Sequence, residues 1–465
     1  MSSVVKQTLP YADPATPLEP PGLVRLLVML SIPVFIEHVL HMLVGLTDTY
    51  LANHLPTDAA AATAAVGTIT YFLWFIGLIA GAIGSGSTAL IARAVGAKHR
   101  RLANSVTGQS VTLSVLIGTV IGVAMLVFAS PIARMSALEG RAHEFALVYL
   151  RLLAFSLPFS TLMFVSASCL RGGGDTLTPA IAMVVVDVVN IFFTFALCRG
   201  FWIFPAMGFV GIAIGTIIAY VAGGLILFVA LKGGRSAVKL HLHRMKLHWH
   251  TMKRVLRVGI PSGTEGFLTW IANFGVLIVI NRADATNDMA AAHINTIRIE
   301  SLSFMTGLAV ATAAATLVGQ SLGAKNPDRA TRSAYLGYAL GGGAMIFMGI
   351  IFILFGRYFA AVLSDDPVIR QLTTTCLMIT GFIQCGFSAS LVFGGALRGA
   401  GDTLSVMLLS LLTVIGVRFV GVMIVALYFH GGLAAIWCIL ALEQLVRGGV
   451  IFGRFLHGGW KKIEV

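Results

Sequence analysis

Charged side chains are scarce in this sequence. They account for only 11% of the 465 residues, whereas 57% of the residues are hydrophobic and the mean hydropathy is +0.90. Soluble domains carry roughly 25% charged residues, because most of their surface faces water. The shortage of charge therefore excludes a string of soluble domains and indicates one body that faces lipid over most of its surface.

Other absences narrow the class of protein further. The five cysteines are scattered and form no CxxC pair, so we expect no disulfide framework and interpret them as small packing residues. No nucleophile motif and no ATP-binding phosphate loop is present, so we expect no cofactor and an ion gradient as the energy source. No cleavable signal peptide is evident, and residues 1–23 are polar and proline-rich, which predicts a disordered cytoplasmic tail.

Long apolar runs fill the remainder of the chain. A helix needs about 20 apolar residues to cross the hydrocarbon core of a bilayer. Twelve such runs lie at 24–52, 59–90, 103–129, 144–169, 177–198, 208–231, 255–281, 289–318, 333–356, 371–396, 404–429 and 432–453. Pro33, Pro158 and Pro261 lie inside or at the start of three runs, where a missing backbone donor predicts a bend.

Positive charge is distributed unevenly between the loops. The formal net charge is +13, and most Lys and Arg residues lie at the termini and in loops that follow even-numbered helices. The loop after helix 6 is basic and contains no acid; its cations are Lys232, Arg235, Lys239, Arg244, Lys246, Lys253, Arg254 and Arg257. Positive loops stay cytoplasmic, so we predict a plasma membrane protein with both termini inside and no nucleic-acid partner.

An internal repeat divides the chain in two. The repeated segments are LRGGGDT and LRGAGDT at 170–176 and 397–403, GAK at 96–98 and 323–325, and Ile-Pro at 32–33 and 260–261. Their offset is 227 or 228 residues, so each half holds six helices and both halves enter the membrane from the same side. The predicted fold is an all-α polytopic membrane protein, with twelve transmembrane helices in two pseudo-symmetric six-helix bundles around a central cavity.

The repeat also predicts the domain limits. They are a disordered cytoplasmic tail at 1–23, an N-terminal bundle at 24–232, a basic cytoplasmic linker at 233–254, a C-terminal bundle at 255–455 and a cytoplasmic tail at 456–465. Two bundles of this kind hold a substrate between them and rock around it. We expect the protein to act as a monomer in the lipid bilayer.

Several segments resemble the MATE (multidrug and toxic compound extrusion) family of transporters. They are LVGLTDTY at 43–50, ARAVGA at 92–97, LRGGGDT at 170–176 and LVGQSLGA at 317–324. With the repeat, the resemblance extends over about residues 24–455. It implies a twelve-helix antiporter that expels organic cations or other amphiphiles in exchange for protons or sodium.

Two acids inside the predicted helices break the symmetry of the repeat. Asp48 and Asp187 have no acidic counterpart in the second half, and both lie in the first. An ionisable group in a membrane helix is costly, and a carboxylate removed from bulk water can exchange a proton near neutral pH. Asp187, Asn190 and Thr194 share one face of helix 5. These four residues are the predicted coupling site.

The resemblance assigns roles to some of these positions. Asp48 matches a coupling aspartate of the family in helix 1, and Asn190 matches an asparagine in helix 5. The family often places an acid four residues after that asparagine, where this chain has Thr194. Sodium-dependent members use acids in helices 7 and 10. Helix 10 has none here and Glu265 lies early in helix 7, which favours protons.

Other polar residues within the runs have less defined roles. Glu37 and Glu265 are repeat counterparts, four residues after their prolines, and with His41 they are candidates for the substrate cavity or a gate. His38 and His41 lack the spacing of a zinc motif, so we predict no metal site. The Arg and Asp of each LRGxGDT segment lie four residues apart and could pair locally.

Three ionisable residues of the second half are interpreted as structural. We expect Arg298 to pair with an acid on another helix, and Arg418 and Glu443 to be members of ion pairs.

Alternatives remain for both the site and the function. Asp48 could cap the end of helix 1, and Asp187 could make a buried structural hydrogen bond. A flippase of lipid-linked oligosaccharides would need several arginines in its cavity, whereas only Arg298 and Arg418 were assigned to helices. An intramembrane enzyme would need a catalytic dyad or metal motif, and none is evident. We therefore predict an antiporter of small cationic or amphiphilic molecules, not an enzyme.

Overall fold

The protein is described by a computed structural model over residues 20–136, 138–201, 203–234, 236–284 and 286–463. Within these ranges the chain is helical and contains no β-strand. Residues 1–19 of the predicted disordered tail lie outside the described residues. The prediction is wrong for residues 20–23, which form the start of the first helix.

Thirteen long helices follow one another along the described chain. They are α1 (Pro20–Asn53), α2 (Ala59–Gly96), α3 (Arg100–Met135), α4 (Gly140–Gly172), α5 (Leu177–Arg199), α6 (Phe209–Gly233), α7 (Trp249–Ala283), α8 (Asp288–Gly323), α9 (Pro327–Leu363), α10 (Pro367–Phe382), α11 (Gln384–Gly399), α12 (Thr403–Tyr428) and α13 (Leu433–His457). Short 3₁₀ turns lie at Leu242–Met245 and Gly459–Lys462. Helix α12 contains π-helical turns at Val414–Phe419 and Ile424–Tyr428.

Eleven of the described helices are long and apolar enough to cross a membrane alone. Helices α10 and α11 pass the same test together and meet at an angle of 58°. Counted as one broken span, they bring the total to twelve. The predicted all-α fold with twelve spans is therefore confirmed, and the predicted helix at 371–396 is two helices joined at a bend.

The bend between α10 and α11 is stabilised by a side chain rather than caused by proline. Ile383 separates the two helices, and Gln384 begins the second one. The Gln384 amide donates to the Thr380 carbonyl at 3.2 Å and accepts a hydrogen bond of 2.7 Å from the Ser303 hydroxyl. Polar backbone groups released at a break need such partners, because lipid offers none.

The chain forms two compact units. The first, here called the N-unit, comprises Pro33–Ile91 and His99–Ile260. The second, the C-unit, comprises the described residues up to Ile32, the segment Ala92–Lys98 and the chain from Pro261 onward. Both α1 and α7 therefore change unit at the proline that the repeat shares.

Helix α4 lies at the centre of the N-unit and packs against α3 and α6. Leu150, Leu153 and Leu157 on this helix are fully buried in one apolar cluster. Tyr149, on the same helix, is 1% exposed and belongs to the same cluster. The core of the N-unit thus fixes the position of a hydroxyl group deep in the bundle.

Helices α2 and α8 end in close contact within the C-unit. A Cβ atom on Gly96 would lie 1.9 Å from the carbonyl oxygen of Gln320, and one on Gly323 would lie 2.1 Å from that of Arg93. Contacts this short leave no room for a side chain, so the backbones meet directly. The GAK repeat, which includes both glycines, therefore marks a crossing of equivalent helix ends.

Candidate ion-coupling site

Asp48 is buried in the N-unit and bound by neutral side chains. Its side chain is 4% exposed and lies on α1 five residues before the helix ends. Atom Oδ2 accepts hydrogen bonds from the Thr216 hydroxyl at 2.7 Å and the Tyr149 hydroxyl at 3.1 Å, and Oδ1 accepts a long one of 3.5 Å from the Asn190 amide. The carboxylate thus joins α1 to α4, α5 and α6 instead of capping its own helix.

No cationic side chain forms an ion pair with Asp48 among the described residues. A buried carboxylate is usually paired with a cation, because its charge is poorly stabilised away from water. Here the carboxylate is stabilised by hydrogen bonds from three uncharged side chains, those of Tyr149, Asn190 and Thr216. The arrangement leaves the acid able to gain a proton or attract a cation without first breaking a salt bridge.

A close approach of α5 and α6 positions two of these donors. A Cβ atom on Gly215 would lie 2.3 Å from the Thr194 hydroxyl and 2.5 Å from the Thr194 nitrogen, so only glycine fits. The next residue, Thr216, thereby comes within reach of both Asp48 and α5. The Asn190 amide donates to Thr216 at 3.1 Å and to Thr194 at 3.2 Å, which connects the two helices through side chains.

Asp187 lies on α5 together with Asn190 and Thr194, but its carboxylate has no hydrogen-bond partner among the described residues. Asp187, Asn190 and Thr194 are all buried, with Asp187 3% exposed. Among the described residues, neither carboxylate oxygen of Asp187 has a hydrogen-bond partner, and Asn190 Oδ1 also has none. The alternative of a satisfied structural hydrogen bond at Asp187 is therefore wrong in this structure. The Tyr220 side chain lies within electrostatic range of both Asp48 and Asp187.

Sequence reasoning missed three neighbours of the acids: Tyr149, Thr216 and Tyr220. They carry no charge and lie inside apolar runs, so a search for ionisable residues passes over them. One signal was present in the repeat. At an offset of 227 residues, Thr216 corresponds to Glu443 and Tyr220 corresponds to Arg447. Polar residues at equivalent positions of both halves would have indicated a buried polar layer.

Glu37 and Glu265 form equivalent ion pairs. Arg171 Nη1 donates to Glu37 Oε1 at 2.6 Å in the N-unit. Arg398 Nη2 donates to Glu265 Oε1 at 3.1 Å in the C-unit, where the Ser410 hydroxyl adds a bond of 2.8 Å. The two arginines belong to the repeated LRGxGDT segments, so acid and base are both repeat counterparts.

The local pairing proposed within the LRGxGDT segments is wrong. Asp175 instead accepts hydrogen bonds from the backbone nitrogen of Thr178 at 3.0 Å and from its hydroxyl at 2.8 Å. Asp402 accepts from Arg454 Nε at 2.8 Å. The reason is that α4 and α11 end between the arginine and the aspartate. The two side chains therefore do not share a helix face.

His41 lies beside the first ion pair. Its Nε2 atom and the Oε2 atom of Glu37 are buried and have no hydrogen-bond partner among the described residues. Both residues line a small cavity of about 20 Å³ between α1, α4, α5 and α6. A volume of this size can hold one water molecule. The His41 ring also lies 5.2 Å from that of Phe164.

The described residues contain no group of three or more histidine, cysteine or acidic side chains that could hold a metal ion.

Glu443 is the centre of a buried ion network in the C-unit. It is 0% exposed and bonds Arg418 Nη2 at 2.5 Å, Arg447 Nε at 3.2 Å and the Thr413 hydroxyl at 3.1 Å. Arg418 also donates to Asn273. The ion pairing expected for Arg418 and Glu443 is thus present.

Two expectations about arginines are wrong. Arg298 is exposed and forms no ion pair with any described residue. Arg171, Arg398 and Arg447 lie within helices, so arginines are more numerous there than the two assigned from the sequence. Each of the three is paired with a glutamate. The predicted runs 144–169 and 371–396 end before Arg171 and Arg398, whereas Arg447 lies inside the predicted run 432–453 and should have been assigned to a helix.

These features define a class of protein: a helical membrane transporter built from two repeats, with two buried acids of the N-unit that form no ion pair with any described residue. The family model described as MatE matches residues 33–196 and 261–424, which begin at the two repeated prolines. The chain belongs to the MATE family. The predicted resemblance and the predicted repeat are both confirmed.

Curated relatives match along almost the whole chain. A protein of Thermotoga maritima described as "Probable multidrug resistance protein NorM" is 31% identical over 96% of this chain and 95% of its own length. A Bacillus subtilis protein described as "Probable multidrug resistance protein YoeA" is 25% identical over 96% of both chains. These relatives are transporters rather than enzymes, which confirms that the chain is not an enzyme.

Solved structures show the same fold. A MOP superfamily transporter from Pyrococcus furiosus superposes with a TM-score of 0.87 and 23% identity, covering 98% of this chain and 100% of that one. A multidrug resistance MATE family transporter in an outward-facing conformation gives a TM-score of 0.86 at 23% identity, covering 95% of this chain and 97% of that one.

Proposed function

We propose that this transporter exports small cationic or amphiphilic molecules in exchange for protons, by alternating access, with Asp48 and Asp187 as the coupling acids. The observation that carries the proposal is the bonding of Asp48. The acid is 4% exposed, and among the described residues only hydroxyl and amide groups bond to it. The relatives from Thermotoga maritima and Bacillus subtilis are described as probable multidrug resistance proteins, which agrees with export of such molecules.

The exchange follows from charge balance at the two acids. When ionised, Asp48 and Asp187 attract a cation, because the described residues offer them no cationic partner. When Asp48 binds a proton, that attraction is lost and a cationic substrate is released. The site thus binds either the proton or the cationic substrate at one time, which is the requirement for antiport. Asn190 donates to Asp48 and to Thr194, so this pair helps to hold Asp48 in position.

Glu37, His41 and Glu265 are proposed to control access rather than to couple ions. Glu37 and Glu265 are each held by an arginine from an LRGxGDT segment. Breaking a largely buried ion pair is costly, so each pair is suited to hold one conformation. His41 and the water-sized cavity beside Glu37 give the N-terminal pair a buried polar neighbour.

Protons are favoured over sodium as the coupling ion. The acid of helix 7, Glu265, is already engaged by Arg398 and Ser410, so it has little capacity to bind a metal cation. Helices α10 and α11 contain no acid. The oxygen atoms around Asp48 are another group that sodium could use, and separate proton and sodium gradients distinguish the two ions.

Transport into inverted membrane vesicles tests the proposal. A fluorescent organic cation is supplied under a proton gradient or a sodium gradient, imposed separately. We expect the proton gradient to drive uptake by the unmodified chain, and Asp48→Asn to reduce uptake to the background level. Asp328→Asn, at an exposed acid in the first turn of α9, is the matched control and should leave uptake unchanged.

The result contradicting the proposal is uptake by Asp48→Asn at the rate of the unmodified chain. Uptake driven only by the sodium gradient would leave Asp48 as the coupling acid and identify sodium, instead of the proton, as the coupling ion. Movement of a labelled lipid-linked oligosaccharide with no gradient dependence would support the flippase alternative.

A further inference from the structure

The basic linker, residues 233–254, is fixed to the N-unit by its backbone. The side chain of Gln109 on α3 donates to the carbonyl oxygens of Arg244 and Lys246 at 2.7 Å each and accepts from the backbone nitrogen of His248 at 2.9 Å. Thr112, one turn further along α3, donates to the Met245 carbonyl at 2.9 Å. Two adjacent side chains of one helix thus bind four backbone groups of the linker.

Buried apolar residues anchor the start of the linker. Val238 is 0% exposed and Leu240 is 2% exposed. The backbone nitrogen of Leu240 donates to the Leu231 carbonyl at 2.9 Å, and that of Lys239 donates to Asn104 Oδ1 at 2.8 Å. The linker is therefore a defined surface feature, with its backbone facing the protein.

Many of the side chains that remain on the outside are cationic or can become so, and none is acidic. No acid occurs between residues 232 and 264. Exposed basic side chains of this stretch are Lys232, Lys239, His243, Lys246, His248, His250, Lys253 and Arg257. Arg100 and Arg101, at the start of α3, are exposed beside it, and Arg244 donates to the Arg101 carbonyl.

Mutual repulsion of these charges is visible at His241. Burial, and then the positive charge of Arg244, His243 and Lys239, lowers the pKa of this histidine. A group of cations held this close by the backbone is complementary to a polyanionic surface.

Large apolar side chains project from the same stretch. Leu242 is 54% exposed, Leu247 is 67% exposed and Trp249 is 70% exposed. Tryptophan is enriched at the membrane–water interface, where its ring sits among lipid headgroups. The linker joins the ends of α6 and α7, two membrane-spanning helices, so it lies at the membrane surface.

We propose that the basic linker is a binding surface for anionic phospholipid headgroups, with Leu247 and Trp249 inserted between the lipids. Basic residues next to a membrane attract acidic lipids, and neighbouring apolar side chains add the burial that makes the contact persist. A nucleic acid would match the charge but would leave Leu247 and Trp249 exposed to water. The lipid surface matches both features.

Quenching of Trp249 fluorescence tests this surface. The full chain is reconstituted in phosphatidylcholine vesicles that contain increasing fractions of brominated phosphatidylglycerol or brominated phosphatidylcholine. The Trp249 contribution is the difference between the unmodified chain and Trp249→Phe. We expect phosphatidylglycerol to quench at a lower mole fraction than phosphatidylcholine, and high salt to remove the difference because screening weakens exposed charges.

Variants that remove positive charges show which residues cause the preference for phosphatidylglycerol. The triple variant Lys246→Gln, Lys253→Gln, Arg257→Gln should lose the preference for phosphatidylglycerol by about tenfold or more. Three exposed cations elsewhere give the matched control, Lys325→Gln, Arg332→Gln, Lys462→Gln, which should keep the preference. Equal quenching by the two lipids in low salt overturns the proposal. So does displacement of the lipid by millimolar inorganic phosphate or by a short RNA, which would assign the surface to those ligands.

Discussion

At the scale of single residues, the N-unit holds two acids in opposite circumstances. Asp48 receives hydrogen bonds from three other helices, whereas Asp187 receives none from any described residue. An unsatisfied buried polar group costs free energy, and an unpaired charge costs more. That cost would be relieved by a proton, a cation or a substrate group, so Asp187 favours the loaded form of the site.

Replacing Asp187 should therefore reduce coupled transport without lowering the thermal stability of the protein. Asp187→Asn removes the unpaired charge and keeps the shape of the side chain, so we expect a melting temperature in detergent equal to or above that of the unmodified chain. Coupled uptake in vesicles should fall at the same time. Asp365→Asn, at a fully exposed acid, should change neither quantity. A clear drop in melting temperature for Asp187→Asn would show that the carboxylate has a stabilising partner and would remove it from the coupling site.

At the scale of helices, close backbone contacts decide where polar groups meet. Gly215 brings α6 against α5 so that Thr216 reaches Asp48, and Gly96 brings the end of α2 against α8. Membrane helices associate through small residues, because lipid supplies no hydrophobic force between them. Glycines at these crossings are therefore as important to the site as the acids.

Alanine at Gly96 tests the helix crossing. A Cβ atom there would lie 1.9 Å from the carbonyl oxygen of Gln320, so α2 and α8 must separate. We expect Gly96→Ala to lower the free energy of unfolding by about 1–3 kcal/mol, as for overpacked cores. Gly77→Ala is the control, because nothing lies within 4 Å of its Cβ position on the same helix. Equal thermal stability of the two variants in detergent would mean that the crossing is loose.

The elements were more predictable from the sequence than their contacts. Hydropathy locates the spans because each must match the thickness of the bilayer. The break at Ile383 carries no proline, and it depends on the bond between Gln384 and Ser303, which are distant in sequence. Asp48 was identifiable because charge is rare inside a membrane helix, whereas Tyr149 and Thr216 are neutral and reach it only through the packing of α4 and α6.

At the scale of the whole molecule, the two repeats share a backbone plan but differ in chemistry. Thr216 and Tyr220 of the N-unit stand where the C-unit has Glu443 and Arg447. The N-unit thus surrounds its acid with neutral donors, whereas the C-unit ties its glutamate to two arginines. Duplication followed by this divergence would leave one repeat to exchange ions and the other to provide a rigid counterpart.

The charge of the loops predicts how the chain is oriented in the membrane. Basic loops remain in the cytoplasm, which predicts that the linker lies inside and the connection between α9 and α10 outside. Exposed positions in these segments are His243 and Asp365. The exposed cysteines Cys385 and Cys438 are first replaced by alanine, and single cysteines are then introduced.

A membrane-impermeant maleimide should label Asp365→Cys in intact cells and His243→Cys only after the cells are made permeable. The chain without an introduced cysteine gives the background. Labelling of His243→Cys in intact cells, with Asp365→Cys protected, would reverse the orientation. Because exchange moves the substrate opposite to the proton flow in either orientation, a reversed chain would place the linker outside the cell without changing the direction of the proposed export.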